Sequence, residues 1–419
     1  MLNTISISKI KWFLTLLILI DFMGVATVVV IFPHLFLSPT SALFTHYWSE
    51  GARLMLMGFF LAIYPLGQFF GAAILGKLSD HYGRQKILYF SIAGTLIGFI
   101  LSAISVMIGA AILLFISRLI AGLCAGNVAV AQAGLADLSV DEKSKTRNIT
   151  YGQMAMGSAY IIGPVLGGVL SNSKMLPWFD SSTPFWFFSI LLLIMLVLTK
   201  VVYTETLKEK IAVKLNLSEH IKDIYLAFAN IDLRFNFIVW FVFVSGWWLF
   251  EAYMPAFLYQ KFIFNTTEIG NLLAFNGALY AAFQYFVVRP TTQYISPRMM
   301  VKGGCLLAGL AIMAMAVVTN KFQLYIAMII FVTSMGYAIP GLITCISNQV
   351  SAEKQGQVMG MIGSIQAVAT VLVMLSGGFI NAANDNFTVI GGGLLVLISW
   401  LIFLFFYKPI PMSLTKHKF

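Results

Sequence analysis

Three charged residues lie inside long apolar stretches of this sequence: Asp21, Arg118 and Glu251. A charge in hydrocarbon costs about 2.5–3.5 kcal/mol even on a lenient scale, so a charge kept there has a partner or a function. Desolvation favours the neutral form of a carboxyl group, which lets a buried acid load and release a proton near neutral pH. We therefore expect Asp21 or Glu251 to be a protonatable coupling site, and Arg118 to pair with that acid or bias its proton affinity.

Each of these residues also has a purely structural interpretation. In one, Asp21 and Arg118 form an ion pair that only holds two helices together. In the other, Glu251 is a carboxylate at the water-exposed rim, since it lies within about three helical turns of the outer surface.

The composition indicates that the folded chain is surrounded by lipid rather than by water. Of the 419 residues, 59% are hydrophobic and 10% are charged, and the mean hydropathy is +0.89. Soluble domains have about 45–50% apolar and about 25% charged residues. A soluble protein of this composition would lack the polar side chains to cover its surface. We therefore expect an all-α integral membrane protein.

Twelve apolar runs are long enough to cross a hydrocarbon core of about 30 Å as helices. The predicted spans are 12–37, 53–75, 87–107, 109–136, 149–171, 184–202, 234–259, 268–289, 299–319, 322–347, 357–380 and 387–407. Basic residues concentrate in alternate connections and at both ends of the chain, which places those connections and both termini in the cytoplasm. The net charge of +10 thus reflects topology, and we expect no nucleic-acid partner.

A polar segment in the middle of the chain divides the predicted spans into two halves. The predicted domains are a six-helix bundle at 1–202, a cytoplasmic linker at 203–233 and a second six-helix bundle at 234–419. The halves repeat weakly: Gly24 precedes Pro33 by nine residues in the first span, and Gly246 precedes Pro255 by nine in the seventh. Internal repeats of this kind are typical of secondary transporters, whose substrate site lies near the midplane between the repeats.

The segment GKLSDHYGRQK at 76–86 is a short charged turn between the second and third predicted spans. It resembles the signature loop of the major facilitator superfamily, G-x-x-x-D-R-x-G-R-R/K, with matches at Gly76, Asp80, Gly83 and Arg84. The resemblance implies that Arg84 pairs with an acid closing the fourth span, here Asp137, while Asp80 faces a helix end in the other half. These contacts would latch the cytoplasmic gate while the carrier opens outward. The alternative is ordinary turn chemistry combined with topological charge.

The fourth span resembles the proton-linked motif of the same superfamily, L-x-x-x-R-x-x-Q-G-x-G. Leu114, Arg118 and Gly122 match the motif, whereas Ala121 and Cys124 replace its Gln and its second Gly. Because the basic residue is present, the resemblance implies a role in proton coupling for Arg118.

The fifth span contains GSAYIIGPVLGGVL, which resembles the core G-P-x-x-G-G of the antiporter motif found in exporters. The matching residues are Gly163, Pro164, Gly167 and Gly168. Small residues at helical spacing let helices pack closely and Pro bends a helix, so ordinary membrane-helix packing is the alternative. In the first span, Asp21, Gly24 and Pro33 match the D-x-x-G…P spacing of tetracycline-resistance-type carriers. The chain is therefore similar to the twelve-helix drug/proton antiporters of the superfamily.

Polar and aromatic residues within the spans are candidates for the wall of a substrate pocket. They are Gln68, Asn127, Gln132, Trp247, Trp248, Tyr253, Asn276, Tyr280 and Gln366. A wall of mixed polarity suits an amphipathic ligand. For each residue the alternative is helix–helix packing or a place in the interfacial aromatic belt.

Together these features favour a secondary transporter that exports a small amphipathic compound in exchange for protons, by rocker-switch alternating access. A drug, an antibiotic or a siderophore would suit. A proton-coupled importer of a nutrient or siderophore is the alternative in the same fold. A channel or a membrane-embedded enzyme is an alternative of another class. An enzyme should show clustered acids or histidines, whereas the five histidines are scattered. No G-x-x-x-x-G-K-[ST] loop is present, which argues against ATP-driven pumping.

The sequence predicts neither a cofactor nor a metal. Cys124, Cys305 and Cys345 lie far apart in apolar runs, without the spacing of metal ligands. We expect transport to be driven by the proton gradient. The expected partners are a small-molecule substrate, protons and the lipid bilayer, with a monomer in the bacterial cytoplasmic (inner) membrane.

Overall fold

The computed structural model describes residues 4–39, 41, 43–44, 48–207, 233–350 and 355–407. Within these residues, twelve helical segments are long and apolar enough to cross a membrane, which confirms the predicted all-α fold and number of spans. The helices of the described part are α1 (Thr4–Leu37), α2 (Glu50–Tyr82), α3 (Arg84–Ile108), α4 (Ala111–Cys124), α5 (Asn127–Asp137), α6 (Glu142–Leu170), α7 (Thr183–Val201), α8 (Arg234–Phe262), α9 (Thr266–Phe283), α10 (Arg289–Thr291), α11 (Pro297–Val317), α12 (Lys321–Ser347), α13 (Gln355–Ala383) and α14 (Asp385–Phe406).

Side chains in the connections cap the N-termini of several helices. The Oγ of Ser49 accepts from the Ala52 amide at the start of α2, and Asn320 caps α12 in the same way. A reciprocal capping box joins Asp141 and Ser144 at the start of α6. Hydrogen bonds from Ser144 hold the pKa of the exposed Asp141 carboxyl below its ordinary value. These caps satisfy amides that lipid would leave without an acceptor.

Two predicted spans are interrupted. The fourth is interrupted between α4 and α5. There the Ala125 amide is shared between the Ala121 carbonyl, four residues back as in an α-helix, and the Gly122 carbonyl, three residues back. A Cβ on Gly126 would lie 2.5 Å from the Gly71 carbonyl oxygen, so the break lies where α2 touches it. The eighth span contains a π-helical turn, Gln284–Val288, between α9 and α10.

The prediction of a charged turn of about ten residues between the second and third spans is wrong. α2 continues through that segment to Tyr82, and Gly83 alone separates it from α3. Gly83 has φ 104° and ψ 150°, a backbone conformation that side chains exclude. The chain therefore reverses at this one glycine. The polar residues on both sides of it are helical, which fixes the directions of their side chains.

The chain forms two compact units. One contains Met1–Leu217, Pro255–Ala278 and Met374–Asp385; the other contains Ser218–Met254, Leu279–Val373 and Asn386–Phe419. In the first unit α1 packs mainly on α6, α2 on α4, and α3 on α4 and α7. In the second unit α11 packs on α12. Most of the predicted linker at 203–233 falls outside the described residues, so the predicted domain boundaries stay a prediction.

Candidate functional site

Asp21 is a buried carboxyl near the middle of α1. Its side chain is 5% exposed, and Asn127, Arg118 and Tyr64 are the polar groups around it. Among the described residues, neither carboxylate oxygen of Asp21 accepts a hydrogen bond. An unsatisfied buried carboxylate is costly, more so than a neutral polar group. A donor group placed beside these oxygens would satisfy them.

Arg118 of α4 provides the positive charge of this cluster. Its side chain is 2% exposed, and the guanidinium carbon lies 4.5 Å from the Tyr64 ring centroid and 5.5 Å from that of Phe99. These distances fit cation–π contacts, which are strongest when desolvated. Nε and Nη1 of Arg118 have no hydrogen-bond partner in the described part of the chain. Arg118 and Asp21 thus share a site without a direct hydrogen bond, which differs from a closed structural ion pair.

Glycines bring the backbones of α2 and α4 into contact beside this cluster. A Cβ on Gly67 would lie 2.8 Å from the Leu123 amide nitrogen, and one on Gly122 would collide with the Tyr64 carbonyl. Gly71 likewise faces the Leu123 carbonyl so closely that no side chain fits. Backbone contact of this kind fixes Tyr64 relative to the helix that carries the arginine.

The predicted antiporter motif packs α6 against α1. A Cβ on Gly163 would lie 2.8 Å from the Met23 carbonyl oxygen, and one on Gly167 would lie 2.9 Å from that of Thr27. The Thr27 hydroxyl donates to the Gly163 carbonyl at 2.7 Å. The close packing expected of these glycines is therefore present, at positions two and six residues along the helix from Asp21. Their role in antiport stays a prediction.

The other two motif residues face α9. A Cβ on Gly168 would lie 2.8 Å from the Thr266 carbonyl oxygen, and Gly270 approaches the Pro164 carbonyl too closely for a side chain. The Thr267 hydroxyl donates to the Gly168 carbonyl at 2.9 Å. The motif thus joins α6 to two different helices of the first unit.

The signature segment forms an ion-pair cluster around Arg84. Its Nη1 lies 2.7 Å from Asp80, and its Nε donates to Asp137 at 3.1 Å, as the resemblance implied. Nη1 also donates to the Ser79 hydroxyl at 2.5 Å. Asp80, at the end of α2, is therefore paired with the first residue of α3. Its expected place opposite a helix of the other half stays a prediction. Gly76 lies in the interior of α2 with open space around its Cα.

Sequence reasoning missed Glu205, which follows α7. Its carboxylate accepts the amides of Arg84 at 3.0 Å and Gln85 at 3.2 Å, and so caps α3 from another part of the chain. The side-chain amide of Gln85 also donates to the Thr199 and Tyr203 carbonyls. A signal was available: α3 starts at a glycine with no acid in its first turn, which leaves its amides in need of an external acceptor.

Tyr203 completes this cluster. Its hydroxyl lies 2.8 Å from that of Thr206, which lies 3.5 Å from Asp137. Burial raises the pKa of Tyr203 well above its ordinary value, so the hydroxyl stays protonated and available as a donor. The end of α7 is thereby tied to both the start of α3 and the end of α5.

The remaining predicted residues belong to several helices. Glu251 is half-buried in α8 with Trp247 beside it, and the Trp247 and Trp248 ring centroids are 5.4 Å apart. Tyr280 accepts from Gln284 of the π-helical turn at 3.1 Å. The buried members of the predicted pocket are Asn127, Tyr253 and Asn276, and the half-buried ones are Gln68, Gln132, Trp247, Trp248, Tyr280 and Gln366. Of these, Asn127 joins the Asp21 cluster; a pocket role for the others stays a prediction.

Comparisons with known proteins agree with this architecture. A family model described as the Major Facilitator Superfamily matches residues 14–374 and 236–417. The tetracycline resistance protein, class H, of Pasteurella multocida is 28% identical over 382 residues, which cover 87% of each chain.

Two solved structures are similar in fold. A human organic anion transporter is 18% identical with a TM-score of 0.67, covering 94% of this chain and 99% of that chain. A D-xylose-proton symporter is 15% identical with a TM-score of 0.74, covering 97% of this chain and 98% of that chain. The family model spans most of the sequence, and the twelve membrane helices fit it. The chain therefore belongs to the Major Facilitator Superfamily, whose members are membrane transporters.

Proposed function

We propose that this transporter exports a small amphipathic compound in exchange for protons. The observation that carries the proposal is the buried Asp21 carboxyl, which lies among Arg118, Asn127 and Tyr64 without a close hydrogen bond among the described residues. Similarity to a tetracycline resistance protein supports export of a drug-like compound, as does the glycine-rich packing of α6. The structural similarity to a sugar symporter speaks for the fold alone.

The chemistry of exchange follows from competition for one acid. Protonation removes the charge of Asp21 and with it the cost of leaving that charge unsatisfied. Once the proton leaves, the carboxylate needs a donor or a positive charge, which a substrate or Arg118 supplies. Because proton and substrate satisfy the same group, binding of one favours release of the other. Coupled exchange then requires that the carrier reorients with either the proton or the substrate bound, and that it does not reorient with the site empty.

The Arg84 cluster is the proposed cytoplasmic gate. The ion pair to Asp137 and the Glu205 cap join the ends of α2, α3, α5 and the segment after α7. A gate held by charge and backbone hydrogen bonds can open without exposing apolar core. We place this gate and both termini in the cytoplasm, with the protein as a monomer in the bacterial inner membrane. The proton gradient is the energy source, with no bound cofactor.

Inverted membrane vesicles that acidify inside test the direction and the coupling. An antiporter in these vesicles accumulates tetracycline or ethidium, and accumulation collapses when a protonophore removes the gradient. A screen over dyes, antibiotics and metal chelators then ranks the substrates. Accumulation only under the opposite gradient would identify a symporter instead.

Asp21→Asn isolates the carboxyl from the rest of the fold. We expect gradient-driven accumulation of the probe to be lost while probe exchange at equal pH persists, because the amide keeps the shape but cannot cycle a proton. Asp141→Asn, which changes an exposed acid at the start of α6, is the matched control and should leave accumulation unchanged. Unaltered accumulation in Asp21→Asn would remove this residue from the mechanism.

A further inference from the structure

A groove of about 230 Å³ lies between the start of α3 and the end of α7. It is lined by Gln85, Lys86, Tyr89, Thr199 and Lys200. It opens at the membrane face that carries the α2–α3 turn, apart from the Asp21 cluster in the middle of the spans. Neither the proposed coupling site nor the gate uses its two lysines.

The groove presents two positive charges that the described residues do not neutralise. The Lys200 ammonium lies 4.7 Å from the Tyr89 ring centroid, and the Lys86 ammonium lies 5.6 Å from that of Tyr82. Both lysines are exposed, and within the described part of the chain neither forms an ion pair. The nearby Glu205 carboxylate is already occupied by backbone amides. Two cations held over aromatic rings thus lack a counter-charge.

Apolar side chains continue from each lysine along the lipid-facing surface. Phe90 follows Lys86 by one helical turn, and Val197 and Leu193 precede Lys200 by one and two turns. These three apolar side chains are 52–60% exposed. Because spans face hydrocarbon, each lysine stands at the head of an apolar stripe. A ligand that matches this pattern has an anionic head and apolar chains.

We propose that the groove binds the phosphate headgroup of an anionic phospholipid, with its acyl chains along α3 and α7. Basic pockets between helices at the cytoplasmic surface are suited to such headgroups. The polar floor is already fixed, because the Gln85 carboxamide donates to the Thr199 carbonyl at 3.2 Å and to the Tyr203 carbonyl at 2.7 Å. The bound lipid would therefore stabilise the α3–α7 contact next to the gate.

The test uses the full chain purified in detergent and titrated with phosphatidylglycerol or phosphatidylcholine. Native mass spectrometry counts retained lipid, and thermal unfolding measures stabilisation. We expect phosphatidylglycerol to be retained preferentially and to raise the Tm. Each lysine near a membrane surface contributes about 1 kcal/mol, so Lys86→Gln with Lys200→Gln should weaken retention roughly 30-fold. Arg at both positions should preserve it.

Lys145→Gln with Lys302→Gln is the matched control, because it removes the same charge from exposed positions outside the groove. This control should retain phosphatidylglycerol as the unchanged protein does. Equal retention of the two lipids, or equal losses in the two double variants, would overturn the proposal. Complete displacement of the lipid by millimolar inorganic phosphate would instead identify a free-anion site and would also overturn it.

Discussion

Replacing Gly83 by Ala tests whether one residue sets the geometry of the gate. The backbone of Gly83 has φ 104° and ψ 150°, where a side chain costs about 1–3 kcal/mol. The added Cβ would also collide with the Glu205 carboxylate. That flexible carboxylate can move away, but it then loses its bonds to two amides of α3, each worth about 0.5–1.5 kcal/mol.

The two effects together predict a local destabilisation of about 2–6 kcal/mol. Hydrogen exchange measures it directly, because the amides of Arg84 and Gln85 exchange only when the cap opens. At about 1.4 kcal/mol per tenfold, we expect exchange in this peptide to be roughly 30- to 20,000-fold faster in Gly83→Ala. Peptides of α12 should exchange as before.

Gly76→Ala is the matched control from the same motif. Gly76 lies inside α2, and nothing lies within 4 Å of the position that its Cβ would occupy. Alanine there should stabilise the helix by about 0.5–1 kcal/mol. If Gly83→Ala left exchange unchanged, or if both variants accelerated it equally, the conformational argument for Gly83 would be refuted.

Three further predictions concern the scaffold and the gate. Gly71→Ala forces α2 away from the Leu123 carbonyl and should lower the Tm by more than Gly157→Ala, whose position is open; overpacking typically costs about 1–3 kcal/mol, and equal Tm values would contradict close contact. Asp137→Asn removes an ion-pair partner worth about 1.5–3 kcal/mol, so it should change the maximal transport rate more than the half-saturating substrate concentration; a pure affinity loss would argue against a gate. Glu205→Gln keeps the size of the capping side chain but removes its negative charge at the N-terminus of α3. It should therefore accelerate hydrogen exchange of the first amides of α3 by less than tenfold. No acceleration would mean that the charge of Glu205 does not stabilise the start of α3.

The spans were predictable because their cause is local. Each membrane helix is a run of apolar residues of sufficient length, and length and composition are read directly from the chain. The interruptions were not predictable in this way. The break before Asn127 depends on the contact between Gly126 and Gly71, two residues far apart in the sequence. The π-helical turn places Gln284 where its carboxamide reaches the Gly336 carbonyl at 3.0 Å, which is again a tertiary contact.

The contacts of the proposed gate were predicted in part. The pairing of Arg84 with Asp137 follows from the motif resemblance, and the contact is present at 3.1 Å. Glu205 lies 121 residues beyond Arg84 in a polar segment, so no spacing rule connects them. For the proposed coupling site, the charges of Asp21 and Arg118 marked both residues in the sequence. It did not foresee that the arginine would stack on Tyr64 rather than hydrogen-bond the acid, because stacking depends on how α2 and α4 cross.

The glycine contact between α2 and α4 limits how this half of the molecule can deform. Where two main chains touch at Gly71 and Leu123, no side chain can repack to absorb a displacement. The two helices must therefore move together as one rigid body, and bending has to occur at the helix ends. Random mutagenesis should therefore find no variant with a larger residue at Gly71 that keeps this contact.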